Sequence, residues 1–237
     1  MVGEIIRMNE KILIFDASSI ISLAMNGLLF ELKELKKIFK GKFIIPEEVK
    51  WEAIERPLKT KKFELEALQV NQLFEEKVLE LPDSIGISKK EISEGTTKIL
   101  EKANNIFSEQ KKKNIHIIDL GETACIVLSK ILKEKNIENI IVVDERTTRL
   151  LSEKPENLRK LLQKKLHSKI EIDKEKLKYF SGLKIIRSAE LMWLANEKNL
   201  VKIKNKRILD AMLYGVKFKG CAISHDEIEE LKKIKLK

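Results

Sequence analysis

Short, uninterrupted apolar runs alternate along this chain with longer stretches whose apolar residues recur at helical spacing. The runs are "KILIFD" (about 11–16), "KFIIP" (42–46), "NIIVVD" (strand 140–143, ending on Asp144) and the "LKII" that precedes "RSAELMWLANEKNLV". Continuous apolar runs of this length are the mark of strands buried on both faces, as in a parallel sheet. Between them, "SSIISLAMNGLLFELKELKKIFK" reads as helix broken at Asn26-Gly27, "PEEVKWEAI" opens a helix behind Pro46, and "DLGETACIVLSKILKEK" (119–135) is strongly amphipathic. "PENLRKLLQKKLHSKI" is a basic amphipathic helix, and "ILDAMLYGVKF" is expected to be helical up to Gly215. Ser88 with Glu91, and Ser224 with Glu227, carry the spacing of capping boxes that start helices. Strands alternating with helices predict an α/β fold with a central parallel sheet covered on both faces. A single domain over 1–237 is expected, with a helical excursion at about 57–118 and a basic insertion at about 155–182. Residues 1–10 read as a lead-in.

Two of the buried strands end on aspartate, Asp16 and Asp144. At a strand-to-helix junction an Asp can simply cap the helix that follows. In a parallel sheet, however, both would lie at the same edge, where open α/β folds bind ligands. Glu52 and Glu122 stand near the starts of helices that follow loops on that edge. Glu48, one turn before Glu52, rivals it, and Asp119 rivals Glu122 although it suits a cap better. Carboxylates crowded together raise one another's pKa unless a cation lies among them. Mg²⁺ or Mn²⁺, hard ions that take oxygen ligands, are the natural choice, and a metal so held activates water and steadies a phosphoryl oxygen.

Composition adds one element. Among 237 residues there are 47 Lys and Arg against 37 Asp and Glu, a formal charge of +10, which favours a polyanionic partner. The two cysteines, Cys125 and Cys221, are far apart and lack metal-ligand spacing, so free, buried thiols are expected. No glycine-rich phosphate loop is present, and the apolar stretch near the start is broken by Asp16 and Asn26. A cytoplasmic protein is the expectation.

The order of "DASS", "IIPEEVKWEAI", "LGETACIVL" and "VVDERTTRLL" resembles the PIN domain nucleases, most closely the archaeal and bacterial branch of toxin ribonucleases from toxin–antitoxin pairs. The later "IIRSAELMWLANEKNLVKIKNKRILDAMLYGVKF" is similar to that branch's closing segment. The resemblance implies a three-layer α/β/α sandwich and an endoribonuclease that hydrolyses phosphodiesters with metal-activated water. It implies Asp16, Glu52, Glu122 and Asp144 as the catalytic acids binding Mg²⁺ or Mn²⁺, with Ser18, Glu145, Thr147 and Arg149 as accessory residues. RNA is the implied partner, with an antitoxin protein and a homodimer through the Met192–Trp193 region as further expectations. Two residues depart from the family pattern: Val143 stands where Thr or Ser is common, and Glu145 where many members have Asp. Those departures leave a second reading, an RNA-binding module of the same fold that no longer cuts. Phosphotransfer through Asp16 fits poorly, because Ser18 occupies the place of the second Asp such enzymes need.

Overall fold

The computed structural model describes residues 11–109 and 115–235, so the lead-in expected over 1–10 lies outside the described residues. Four strands form one parallel sheet: β1 (Lys11–Phe15), β2 (Gly41–Ile44), β4 (Asn139–Val142) and β6 (Ile185–Ile186), in the order β2-β1-β4-β6. The protein is thus an α/β protein with a four-stranded parallel sheet and many helices. β1 lies between β2 and β4, with Leu13 paired to Phe43 on one side and to Ile140 on the other. Every residue of β1 is buried, which is why Ile12–Phe15 are apolar without alternation behind the buried Lys11 at its start. Parallel pairing also fixes the site: Phe15 lies beside Val142, so the residues following each strand emerge together at one edge.

The helices follow the expected punctuation. β1 leads into α1 (Ala17–Met25) and α2 (Leu29–Ile38), separated at Asn26-Gly27. β2 leads into α3 (Glu47–Lys50), which passes into a π-helical turn at Trp51–Glu55. Next come α4 (Glu64–Glu75) and α5 (Lys89–Ala103), then β3 (Phe107–Glu109) and α6 (Leu120–Glu134). After β4 come α7 (Arg146–Glu153), α8 (Pro155–Leu166), β5 (Ile170–Ile172) and the short α9 (Lys174–Leu177). The chain closes with α10 (Ser188–Glu197), α11 (Ile208–Phe218) and α12 (His225–Lys233) after β6. Both capping boxes are present in part or whole: Ser88 accepts from the Glu91 N–H, and Ser224 and Glu227 cap reciprocally.

Three sequence expectations change. The excursion at 57–118 is not helical throughout, because α5 ends at Ala103 and the chain then forms β3; residues 110–114 within the excursion lie outside the described residues. β3 pairs antiparallel with β5, Phe107 opposite Ile172, so the excursion and the basic insertion at 155–182 are joined by a second, two-stranded sheet. Phe107 and Ile170 are buried there, a pairing of residues far apart in sequence that no local pattern announces. Helix α11 does not stop at Gly215: a Cβ there would lie 2.8 Å from the Asn26 side-chain oxygen, so the glycine admits the bend between α1 and α2 against the helix. Finally, Met192 and Trp193, expected at a surface shared with a second copy, are fully buried within α10 and belong to the core.

Candidate functional site

Asp16 is both of the things its position allows. It is the N-cap of α1, accepting from the Ser18 N–H at 3.0 Å and from the Ser18 hydroxyl, and it stands at the sheet edge where β1 and β4 end. Its backbone N–H continues the ladder to Val142 at 3.0 Å. Ser18 also ties the two strand ends together, because its hydroxyl oxygen accepts the Asp144 N–H at 3.1 Å. Asp144, 1% exposed, is held from the far side by the first residue of α10. Ser188 gives it a backbone N–H at 2.8 Å and a hydroxyl at 2.6 Å, one to each carboxylate oxygen.

Glu122 lies in the first turn of α6. One oxygen accepts the Asp119 N–H at 2.9 Å, closing that helix start, and the other accepts the Thr148 hydroxyl from α7. Asp119 is the helix cap, its own carboxylate facing His116 at 2.7 Å. Glu52 reaches the site from the π-helical turn, a distortion that often accompanies functional positions in helices. Val49, three residues earlier and fully buried, sits on the same side. Gly121 is the meeting point. A Cβ there would lie 3.0 Å from a Glu52 carboxylate oxygen, 3.5 Å from Val49 and 3.7 Å from an Asp16 carboxylate oxygen. The backbone of α6 comes this close to two acids only because residue 121 has no side chain. Glu48 lines a small crevice with Pro82, Asp83 and Lys89, while Glu52 is the one of the two that meets Gly121 beside Asp16.

The electrostatics follow from burial and crowding. Burial raises the pKa of Asp16, and the charge of Asp144 adds to it against the hydrogen bonds from Ser18. Burial likewise raises Glu52, with Asp16 and Asp119 adding to it. Glu122 is pushed up to about 8, by burial first and then by the charge of Asp16. Burial raises Asp144 too, with Ser188 opposing. Asp16 is the hub, its charge felt by or felt from each of the other three. Among the described residues no Lys, Arg or His forms an ion pair with any of the four; Arg56, which lowers Glu52 a little, is the nearby cation and lies over the Trp51 ring. Cys125, buried beneath the cluster, has its thiol pushed far up by burial and by these charges, and is the neutral core residue expected.

The donor set is all oxygen, the chemistry that Mg²⁺ and Mn²⁺ prefer. Yet among the described residues no three Asp, Glu, His or Cys side chains are so placed that they could hold a metal ion together. The carboxylates come together pairwise about Asp16, and their oxygens are turned toward Ser18, Asp119, Thr148 and Ser188. Each such oxygen keeps a second lone pair.

The accessory residues divide. Ser18 is in the site as described. Glu145 and Thr147 bond to each other at the start of α7, the Thr147 hydroxyl to Glu145 at 3.2 Å, and it is Thr148 that touches Glu122. Arg149 turns toward Glu227 at 3.5 Å and Glu153 at 4.0 Å, away from the acids. The sequence reading missed Ser188, Thr148 and Gly121. Of these, only Gly121 had a visible signal, a glycine in the first turn of a helix one residue before a candidate acid. Beneath Asp144 lies a further network. Arg187, 8% exposed, bonds to Glu190, to Glu227 at 2.9 Å and to the Ala222 carbonyl at 3.1 Å, while the Ala222 N–H donates to the Asp144 carbonyl at 3.0 Å. It fixes the start of α10, and with it Ser188.

Compared with family models, curated proteins and solved structures, the chain matches none of them. Among the described residues no helix is long and apolar enough to cross a membrane.

Proposed function

We propose that this protein is a metal-dependent endoribonuclease that hydrolyses RNA phosphodiester bonds at the edge where β1 and β4 end, with the three-layer α/β/α arrangement of a PIN domain. The observation that carries the reading is the unbalanced charge: four acids, Asp16, Glu52, Glu122 and Asp144, lie at one sheet edge, all with raised pKa values, and among the described residues no cation forms an ion pair with them. A cluster of this kind stores repulsion that a divalent cation from solution relieves. Asp16, Glu52 and Glu122 would hold it only once their side chains re-orient, because no three acids among the described residues converge on one point as they stand. Bound there, Mg²⁺ or Mn²⁺ would lower the pKa of a water and stabilise phosphoryl charge. The chain's own residues do the positioning: Ser18 locks Asp16 to the end of β4, Ser188 orients Asp144, and Gly121 leaves room for Glu52. Since no three of the acids converge as they stand among the described residues, metal entry requires Glu122 to turn from the Asp119 N–H and the Thr148 hydroxyl. The net charge of +10 suits a polyanionic substrate.

The test is cleavage of a mixed pool of structured and single-stranded RNA with Mn²⁺, Mg²⁺ or EDTA, comparing the parent with Asp16→Asn. Cleavage that needs metal and is lost in the variant supports the reading; equal cleavage by both rejects it. A second reading is favoured by the engagement of both Asp144 oxygens with Ser188 and by the lack of three converging ligands among the described residues. It is a fold of the same kind that binds RNA without cutting it. Salt-sensitive binding with no turnover at any metal concentration is its signature.

A further inference from the structure

At the opposite edge of the sheet from the acids lies a cavity of about 320 Å³. Lys11 at the start of β1, Asn139 and Ile140 at the start of β4, Lys133 in the last turn of α6 and Lys184 just before β6 line it. The helix α6 spans roughly 22 Å from one edge to the other at 1.5 Å per residue, so this cavity is separate from the acid cluster. Its size falls at the low end of small-ligand sites, which run about 300–1,000 Å³. Among the described residues its unpaired positive charge comes from Lys133 and Lys184, while Lys11 lies 3.7 Å from the lining carboxylate of Glu138. The floor is fixed, since Asn139 accepts from the Ser129 hydroxyl at 2.6 Å and donates to the Ser129 and Ile137 carbonyls.

The basic surface continues past the rim. A Cβ on Gly182 would lie 3.3 Å from the Lys133 ammonium, so the loop carrying Gly182 passes directly over that lysine. Three residues earlier in that loop is Tyr179, 41% exposed, on a 3₁₀ turn anchored by the buried Phe180. The ammonium of Lys102 stands 3.6 Å from the centre of the Tyr179 ring and that of Lys130 5.5 Å from it. Burial lowers the pKa of Lys130, and the charges of Lys133 and Lys102 add to the effect against Glu134, which places all three cations within one field. Among the described residues Lys102, Lys130, Lys133 and Lys184 form no ion pair. Two unpaired lysines, Lys133 and Lys184, line a concave site, and an exposed aromatic ring stands three residues from its lining Gly182; together they match what phosphate esters of nucleosides require, cations for the phosphate and an apolar plane for the base.

We propose that this cavity is a nucleotide phosphate site, its phosphate held by Lys133 and Lys184 and its base lying against Tyr179, filled either by a free nucleotide or by one nucleotide of an RNA strand. The site does not depend on the acid cluster or on catalysis. The test uses the full chain in EDTA, so that metal-dependent cleavage plays no part. Binding of AMP is measured by calorimetry, and of a labelled single-stranded oligoribonucleotide by fluorescence anisotropy. The variants are Lys133→Glu/Lys184→Glu and Tyr179→Ala, with Lys61→Glu/Lys219→Glu as a control of equal charge change at exposed positions elsewhere. The expected result is a loss of at least tenfold in affinity for AMP, for the RNA or for both in the cavity double variant, a smaller loss in Tyr179→Ala, and less than threefold in the control. Loss for AMP alone identifies a free nucleotide as the occupant, and loss for RNA extends the occupant to a strand. Equal losses in the cavity and control variants, or no loss for either probe, overturn the proposal. All four altered lysines sit in exposed positions, and an unchanged melting temperature verifies that the variants fold; Lys133→Gln/Lys184→Gln, with half the charge change, is the fallback and is expected to show the same order of effects.

Discussion

Ser188 binds Asp144 twice, through its backbone N–H at 2.8 Å and its hydroxyl at 2.6 Å. The two residues are 44 positions apart, and the contact joins the start of α10 to the end of β4. A carboxylate that is 1% exposed cannot stay ionised without such donors. Ser188→Ala removes one of them and leaves a buried oxygen without its hydroxyl partner. The expected cost is about 1–3 kcal/mol, read from urea unfolding at neutral pH. An Asp144→Asn/Ser188→Ala double variant should lose less than the sum of the single variants, since the two residues act on one interaction.

Gly121 offers a test that separates stability from function. In a helix, Gly→Ala ordinarily stabilises by up to ~1 kcal/mol. Here the new methyl would meet Glu52 and Asp16, at 3.0 and 3.7 Å. Gly121→Ala is therefore expected to keep a melting temperature within a few degrees of the parent's while reducing the rise in melting temperature that Mn²⁺ produces. An unchanged response to Mn²⁺ would remove Glu52 from the metal-binding set.

The acid cluster makes stability depend on pH in an unusual direction. Glu122 titrates near 8 in the folded chain and near its ordinary 4.5 when unfolded. Between those values the folded chain holds a proton that the unfolded chain has released, so stability falls as pH rises through that window. Asp16, Glu52 and Asp144 are shifted the same way and add to the trend. Without metal, unfolding by urea at pH 5.5 should need more denaturant than at pH 8.5. Glu122→Gln should flatten the profile, and so should Mn²⁺, because a cation favours the ionised acids.

Arg187 is buried among Glu190, Glu227 and the Ala222 carbonyl. Arg187→Ala leaves Glu190 without its cation at the start of α10 and releases the Ala222 loop from Asp144. Breaking a buried pair of this kind costs about 3–5 kcal/mol. Thermal unfolding measures it, and a loss below about 1 kcal/mol would mean that solvent already compensates the network.

The small sheet formed by β3 and β5 predicts a mechanical coupling. Phe107 is fully buried where the two strands meet. Phe107→Ala should cost about 3–5 kcal/mol. Hydrogen exchange should then accelerate in both 64–103 and 155–180, while exchange in β1 and β4 changes less.

Much of this protein is written in short-range patterns. The runs Ile12–Phe15 and Ile140–Val143 specify strands buried on both faces, because no polar residue interrupts them. Parallel pairing then brings Asp16 and Asp144 to one edge. The capping serines, the break at Asn26-Gly27 and the acids near the helix starts are equally local, since each depends on residues a turn or less apart. What the tertiary structure decided lies between distant residues. Ser188 on Asp144, Thr148 on Glu122, and β3 beside β5 are contacts whose partners carry no shared local signal. The same holds for Gly215, which reads as a helix stop until Asn26 is seen against it, and for Met192 and Trp193, whose apolar character suits an interface and a core alike. Periodicity shows that a face is apolar or an acid is placed at a strand end; which neighbour meets it is set by how the helices pack on the sheet.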